Sequence, residues 1–428
     1  MRVLITAFAM DAHFNGMVPL AWALRTAGHE VRVASQPRLA DSITSAGLTA
    51  VPVGGDHQVE QVMAAAAPGV FALHQNPDYL EGRSELLDLA FLEASTTMLT
   101  ATFYSQINND SMIDDLVGFA RWWEPDLVIW EPFTFAGAVA AHVTGAAHAR
   151  LLWGPDLFLQ AYQRFLHLLA PEPAERRDDA IREWLTWTLG RFGCSFSPEV
   201  VTGQWTIDQM PASVRFDLDQ PLVPMRYIPY NGPLPAVVPP WSQSDPDRPR
   251  VCVTQGMTAR TTGFSGLDAV AELLESVAEL DVEVIATVKE SDGLRPLPGN
   301  VRVVDNIPLH VALPDCAAVL HHGGAGTWAS AAFYGVPQLN LAWQWDDVYR
   351  ARQMEKLGAG MYLPPGPARE ACSVRDSLAH LLGQSSFQDG AARIRDEMLD
   401  CPTPNDVVPA LEDLTVAHRR TRMSPHPC

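Results

Sequence analysis

Apolar residues in this chain fall in short runs, each followed by a polar turn and then by a stretch with helical spacing. RVLITA at residues 2 to 7 is the first run; the loop FAMDAHFNGM follows, Val18 to Ala27 has helical spacing, Gly28 closes it, and Glu30 to Ala34 is apolar again. A strand, a helix, a glycine stop and a second strand form a βαβ unit, whose crossover sets the two strands parallel in one sheet. Runs at Ala50 to Val53, Asp126 to Trp130 and Ala149 to Trp153 extend that sheet. The rhythm breaks over residues 216 to 248, where prolines and polar residues carry no period. It restarts with a strand at Arg250 to Thr254, an amphipathic helix at Leu267 to Leu280, and strands at Val282 to Val288, Val301 to Val304 and Ala317 to His321. The expected fold class is therefore α/β, with two Rossmann-like, doubly wound domains. The first covers residues 1–215, a linker covers 216–248, the second covers 249–405, and a terminal helix and tail at 406–428 pack back on the first domain.

Length agrees with that division, because 428 residues exceed what one core supports. A formal charge of −20, from 30 Lys and Arg against 50 Asp and Glu, repels nucleic acid and anionic membrane surfaces. Any phosphate must be held locally, by helix ends and backbone N–H groups. The six cysteines form no CxxC pair and no metal-ligand spacing, which reads as thiols of a reducing cytosol and a cytoplasmic protein with no bound metal. The first apolar run is too short for a signal peptide, and no run reaches the 18 apolar residues of a membrane span.

Three segments carry chemistry. His321-His322-Gly323-Gly324-Ala325-Gly326-Thr327 lies between an apolar strand and a helical run. Such a turn directs backbone N–H groups and the positive end of a helix at a diphosphate, with His321, His322 and Thr327 as side-chain donors; its plainer role is a tight strand-to-helix turn. The first strand-to-helix turn has no GxGxxG, and no lysine follows the glycine-rich turn, which disfavours nicotinamide enzymes and P-loop ATPases. That first turn instead carries Asp11 and His13 beyond the carboxyl end of a parallel strand, where open α/β sheets bind ligands. A histidine there can take a proton from a hydroxyl near neutral pH, and Glu131, ending the strand DLVIW, can orient it; a surface histidine and a helix-start acid are the alternatives. Trp343-Gln344-Trp345-Asp346-Asp347 sets aromatic planes beside carboxylates, as a sugar requires, although Asp346 as a simple helix cap fits the same residues. Asp217 with Asp219, and Asp245 with Asp247, read as solvated turn residues.

The stretches VPLAWALRTAGHEVRVASQP, DLVIWEPFTFAGAV, YNGP and HHGGAGTWASA with its following GVPQ resemble the GT-B glycosyltransferases of family 1, in the antibiotic-tailoring branch from actinomycetes. The resemblance covers essentially the whole chain and is nearest to the anthracycline enzymes among those that transfer deoxysugars from thymidine diphosphate to polyketides. It implies two Rossmann-like domains facing across a cleft, and inverting transfer of a deoxysugar, of the aminodeoxy kind, from a TDP-sugar to a hydroxyl of a polyketide aglycone. A catalytically silent partner protein or a nucleotide-sugar epimerase is the alternative on the same fold. The resemblance makes His13 the general base and Glu131 its acid partner; many relatives have a catalytic histidine where this chain has Asp11, so Asp11 stays a second candidate. It assigns the donor diphosphate to His322, Gly323, Gly324, Gly326 and Thr327, with Thr254, Gln255 and Gly256 lining the donor site. Asp346 matches the acid of the family's Asp-Gln pair for donor-sugar hydroxyls, with Asp347 replacing the Gln and Trp345 beside them. No cofactor or metal is implied. The implied partners are the donor, the aglycone and a cytochrome P450-like auxiliary activator; an excess of apolar residues in helical runs between residues 60 and 118 offers a surface for that partner, for a homodimer, or simply for the core.

Overall fold

The computed structural model describes residues 1–62, 75–230, 232, 238–239, 247–256, 270–288, 296–304 and 307–419. Asp245, the start of the helix read from Leu267, residues 231, 233–237 and 240–246 of the 216–248 segment, and the tail from 420 lie outside the described residues. The chain divides into two compact units, one of residues 1–210, 215–226 and 402–428, the other of 211–214 and 227–401.

Seven parallel strands form the sheet of the first unit: β1 (Arg2–Thr6), β2 (Glu30–Ser35), β3 (Thr49–Pro52), β4 (Leu127–Trp130), β5 (Ala147–Leu151), β6 (Trp205–Asp208) and β7 (Leu222–Pro224), in the order β3-β2-β1-β4-β5-β6-β7. Every residue of β4, β5 and β6 is buried, as a sheet covered by helices on both faces demands. Tight approach of that cover is visible at Gly137 in the helix Phe135–Thr144, where a Cβ would meet Thr6 Oγ1 at 2.4 Å and Trp130 Cβ at 2.8 Å. Two strands escaped the sequence reading. β6 is a four-residue stretch, WTID, whose polar residues are buried along with its apolar ones, and β7 lies inside the segment read as linker, with Pro221 before it and Pro224 at its end suiting an edge strand that bonds on one side only.

The helix Pro404–His418 joins this first unit, packing on the helix Val18–Thr26 and on β5. Its start is fixed by a capping box in which Thr403 and Asp406 exchange backbone and side-chain hydrogen bonds. The segment around residues 89–107 takes the core alternative of the sequence reading. A five-residue π-helical stretch, Thr100–Tyr104, widens the helix Leu89–Leu99, and Leu92, Leu99, Phe103, Tyr104 and Ile107 are all buried inside the unit. Leu86, 60% exposed, is the large apolar side chain left outside among the described residues of that segment.

The second unit has six parallel strands, β8 (Arg250–Thr254), β9 (Glu283–Thr287), β10 (Val301–Val303), β11 (Cys316–His321), β12 (Gln338–Asn340) and β13 (Gly360–Tyr362), in the order β10-β9-β8-β11-β12-β13. Val251, Val253, Val284, Ala286, Ala318 and Leu320 pack against the helices Val270–Val277 and Ala371–Gly383 on one face. Among the described residues no helix is long and apolar enough to cross a membrane.

In both units the strand order reverses beside the first strand: β1 sits between β2 and β4, and β8 between β9 and β11. The loops after β1 and β4, and those after β8 and β11, therefore leave the carboxyl edge to opposite faces and open a crevice there.

Asp208, at the end of β6, is buried, and burial raises its carboxyl to about 6 from an ordinary value of 3.8, against the hydrogen bond from Met210 N and the nearby Arg215. A carboxyl raised in the folded state holds its proton more tightly folded than unfolded. The stability tied to it is full below about 3.8 and is lost as pH climbs through about 6. Asp208→Asn, which keeps the acceptor for Met210, is expected to match the parent near pH 4 and exceed it by on the order of 2–3 kcal/mol near pH 8, read from urea unfolding at the two pH values.

Candidate active site

The first crevice holds His13, Glu131 and a third residue absent from the sequence reading, Trp153. β1 ends at Thr6, the chain crosses through Phe8 to a short helix, Asp11–Phe14, and His13 N closes on Met10 O at 3.0 Å. Glu131 follows β4 directly, and Thr134 fixes its turn, donating from Oγ1 to the carbonyls of Thr6 and Glu131. The Glu131 carboxylate is fully buried and accepts from four donors. Oε1 takes Phe8 N at 3.2 Å; Oε2 takes Phe133 N at 3.1 Å, Trp153 Nε1 at 3.1 Å and His13 Nδ1 at 3.3 Å. With Nδ1–H donating to Glu131, the neutral imidazole has its lone pair on Nε2. Three rings wall the imidazole: Phe8 at 4.9 Å, Trp153 at 5.1 Å and Phe133 at 5.4 Å between centroids. Asp11 is exposed and accepts from Ser42 Oγ at 2.6 Å, so it is engaged with the helix Ala40–Ser45.

The second crevice holds the glycine-rich turn. His321, the last residue of β11, is fully buried; its Nδ1 accepts from Gly323 N at 3.1 Å, which leaves Nε2–H to donate to Gln338 Oε1 at 2.9 Å. Burial first, and the neighbouring His322 second, push His321 down to about 3, so it is a neutral structural brace for the turn. His322 is pushed down to about 4 by burial and by Arg350, and its Nδ1 is buried without a hydrogen-bond partner among the described residues. Two glycines make room for that ring. A Cβ on Gly256 would lie 2.4 Å from His322 Cε1, and one on Gly324 2.8 Å from Nε2. Gly256 also has φ +72°, a conformation that side chains oppose. Thr254, at the end of β8, accepts from Gly256 N at 3.2 Å and from Thr287 Oγ1 at 2.7 Å, so Thr254, Gln255 and Gly256 lie alongside the turn through the β8–β11 pairing of Thr254 with His321. Gly326 and Thr327 lie in the first turn of the helix Ala325–Tyr334.

Asp346 and Asp347 are brought to the same turn by Arg350, which the sequence reading missed. The helix Trp345–Lys356 begins at Trp345, which has φ +50°, so Asp346 lies within the first turn and is not the cap. Arg350, one turn on and fully buried, pairs with Asp346 and with Asp347 at 2.5 Å, and donates to Gly323 O at 2.8 Å. Burial pushes Asp347 up to about 7 and Arg350 down to about 9. The i, i+3 and i, i+4 spacing of Asp347 and Asp346 to Arg350 was a legible signal for this contact.

Comparison with known proteins agrees with this architecture. Residues 22–256 match the N-terminal domain, and residues 271–414 the C-terminal domain, of the erythromycin biosynthesis protein CIII-like family. The chain is 71% identical over 422 residues to the TDP-daunosamine transferase DnrS of Streptomyces peucetius, covering 98% of each. It is 54% identical to the aklavinone 7-beta-L-rhodosaminyltransferase of Streptomyces galilaeus, over 98% of this chain and 97% of that one. Among solved structures, the glycosyltransferase VinC in complex with DTDP is similar at a TM-score of 0.86 and 38% identity, over 97% of this chain and 100% of that one. Spinosyn forosaminyltransferase SpnP is similar at 0.81 and 39%, over 97% and 99%. Two parallel-sheet Rossmann-like units of this kind define a GT-B glycosyltransferase. The chain belongs to the erythromycin biosynthesis protein CIII-like family.

Removing Arg350 strands two carboxylates and the Gly323 carbonyl in a buried place. Arg350→Met is expected to lose about 3–5 kcal/mol of stability, the usual consequence of breaking a buried pair from one side. Arg350→Met combined with Asp346→Asn and Asp347→Asn is expected to recover part of it, as denaturant midpoints would register.

Proposed function

We propose that the enzyme transfers an aminodeoxysugar from a TDP-sugar to a hydroxyl of an anthracycline-type polyketide aglycone by single displacement with inversion. The relatives support the substrates: one is named a TDP-daunosamine transferase, another an aklavinone rhodosaminyltransferase. The observation that carries the mechanism is the His13–Glu131 contact at the carboxyl edge between β1 and β4. In this reading the acceptor hydroxyl donates to His13 Nε2. As its oxygen bonds to the anomeric carbon and the bond to the diphosphate oxygen breaks, the proton passes to Nε2, and Glu131 stabilises the imidazolium.

The departing diphosphate is met by His322, by the backbone N–H groups of Gly324 and Gly326, and by Thr327 at the start of the helix Ala325–Tyr334, while the Gly323 N–H is held by His321 and Gly323 shapes the turn. Its charge needs no metal in this account. Thr254, Gln255 and Gly256 line the donor site, and Trp345, Asp346 and Asp347 face the donor sugar. In this reading Asp11 holds the first loop through Ser42, and His13 takes the proton.

His13→Ala is expected to lower kcat by at least about 10³-fold and to leave TDP affinity unchanged, whereas Glu131→Gln loses less because it acts through the base. His322→Ala weakens TDP binding and kcat together. Calorimetry with TDP and turnover with and without a chelator check all three; retained turnover in His13→Ala, or unchanged TDP affinity in His322→Ala, defeats the assignment concerned.

The enzyme also works with a cytochrome P450-like auxiliary protein, a reading supported by the resemblance to its branch of transferases. Adding that protein is expected to raise turnover by about 10-fold or more and to shift the chain to a heterodimer, or from a homodimer, on a sizing column. Full activity of the chain alone at nanomolar concentration defeats this.

A further inference from the structure

Oε2 of Glu131 is shared. It accepts His13 Nδ1 at 3.3 Å, Phe133 N at 3.1 Å and Trp153 Nε1 at 3.1 Å, while Oε1 accepts Phe8 N alone. The contact to the imidazole is the longest of the four. Two of the competing donors are backbone N–H groups, which hold the carboxylate whatever the side chains are. Trp153 is the one competing side chain, and it comes from a third strand end, two residues past β5. Its ring also stands edge-on to His13 at 5.1 Å and to Phe133 at 5.7 Å. Negative charge on a carboxylate oxygen is divided among the donors it serves, so each added donor weakens the hold on the others.

We infer that Trp153 is a positioning residue for the transfer: its indole N–H holds the Glu131 carboxylate in register with His13 and limits how strongly that carboxylate stabilises the protonated imidazole. The inference rests on the reading of His13 as base. A base held too tightly in its protonated form has no lone pair for the acceptor hydroxyl at neutral pH, and a base without a carboxylate partner loses its tautomer. Trp153 sets the balance between the two. Among the described residues, the other titratable groups near the imidazole are Asp11, two residues back on its own helix and bonded to Ser42, and His57, whose ring lies 4.5 Å from Phe8. Neither touches Glu131 Oε2.

Two substitutions separate the donor from the ring. Trp153→Phe keeps a ring against His13 and removes the N–H; Trp153→Gln removes the ring and places an amide N–H the same number of bonds from Cβ. For Trp153→Phe the acid limb of the kcat/KM profile is expected to move up by about half a pH unit, so that kcat/KM on the acid side falls about 3-fold, with acceptor KM within 2-fold of the parent. For Trp153→Gln the limb stays where the parent has it, and acceptor KM rises through loss of the wall. NMR titration of the His13 ring in both variants follows the same shift without turnover, and thermal melts confirm folding. An unmoved limb and unmoved ring titration in Trp153→Phe, or equal shifts in both variants, overturn the inference. His13→Ala assayed alongside tests the base itself: retained turnover there defeats the reading of His13, whereas abolished turnover with an unmoved limb in Trp153→Phe defeats only the role of Trp153.

Discussion

A parallel sheet covered by helices on both faces satisfies its backbone and buries its side chains, and it leaves only the strand ends open to solvent. Everything chemical in this enzyme follows from that constraint. Side chains that must meet a substrate have to come from loops at the carboxyl edge, and they converge only where neighbouring loops depart to opposite faces. The chain uses this twice. His13, Glu131 and Trp153 come from the ends of β1, β4 and β5; Thr254, His322 and the Asp346–Arg350 pair gather around β8, β11 and the helix after β12.

The two crevices handle charge in opposite ways. In the first, a buried carboxylate is solvated by four protein donors, and its partner histidine keeps a side chain 15% exposed. In the second, both histidines are held neutral by burial, and two carboxylates are compensated by one arginine that also grips the glycine-rich turn. A neutral imidazole offers one N–H with no like charge to repel Arg350, so the proposed diphosphate site gains donors without filling a buried space with positive charge.

Much of this was legible beforehand. The strand-helix rhythm placed the ends of β1, β4 and β11, and with them His13, Glu131 and His322, because the residue after an apolar run is at the carboxyl edge by construction. What was missed has physical reasons. β7 is a proline-flanked edge strand that needs bonds on one side only, so it resembles a linker. Trp153 was read as the end of a strand, since nothing local shows where an indole N–H will point; its partner lies 22 residues away in sequence. Arg350 was legible through its spacing to Asp346 and Asp347, but an arginine on a polar helix that also carries Arg352 and Lys356 reads as a solvated face. The apolar run at residues 89–107 left partner surface and core open, and its π-helical turn, which changes which residues face inward, belongs to the core alternative.

The return of the helix Pro404–His418 to the first unit has a consequence for the order in which this molecule can come into being. Residues 227–401, all of the second unit but residues 211–214, lie between the first unit's sheet and its last helix. A ribosome therefore releases every strand of the first sheet, then residues 227–401, before the surface along Val18–Thr26 and β5 meets its cover. Through that interval the face awaiting the helix, with Leu411, Val407 and Val408 as its eventual partners, is bare to water and to chaperones, and the first unit is finished only after its neighbour has been made.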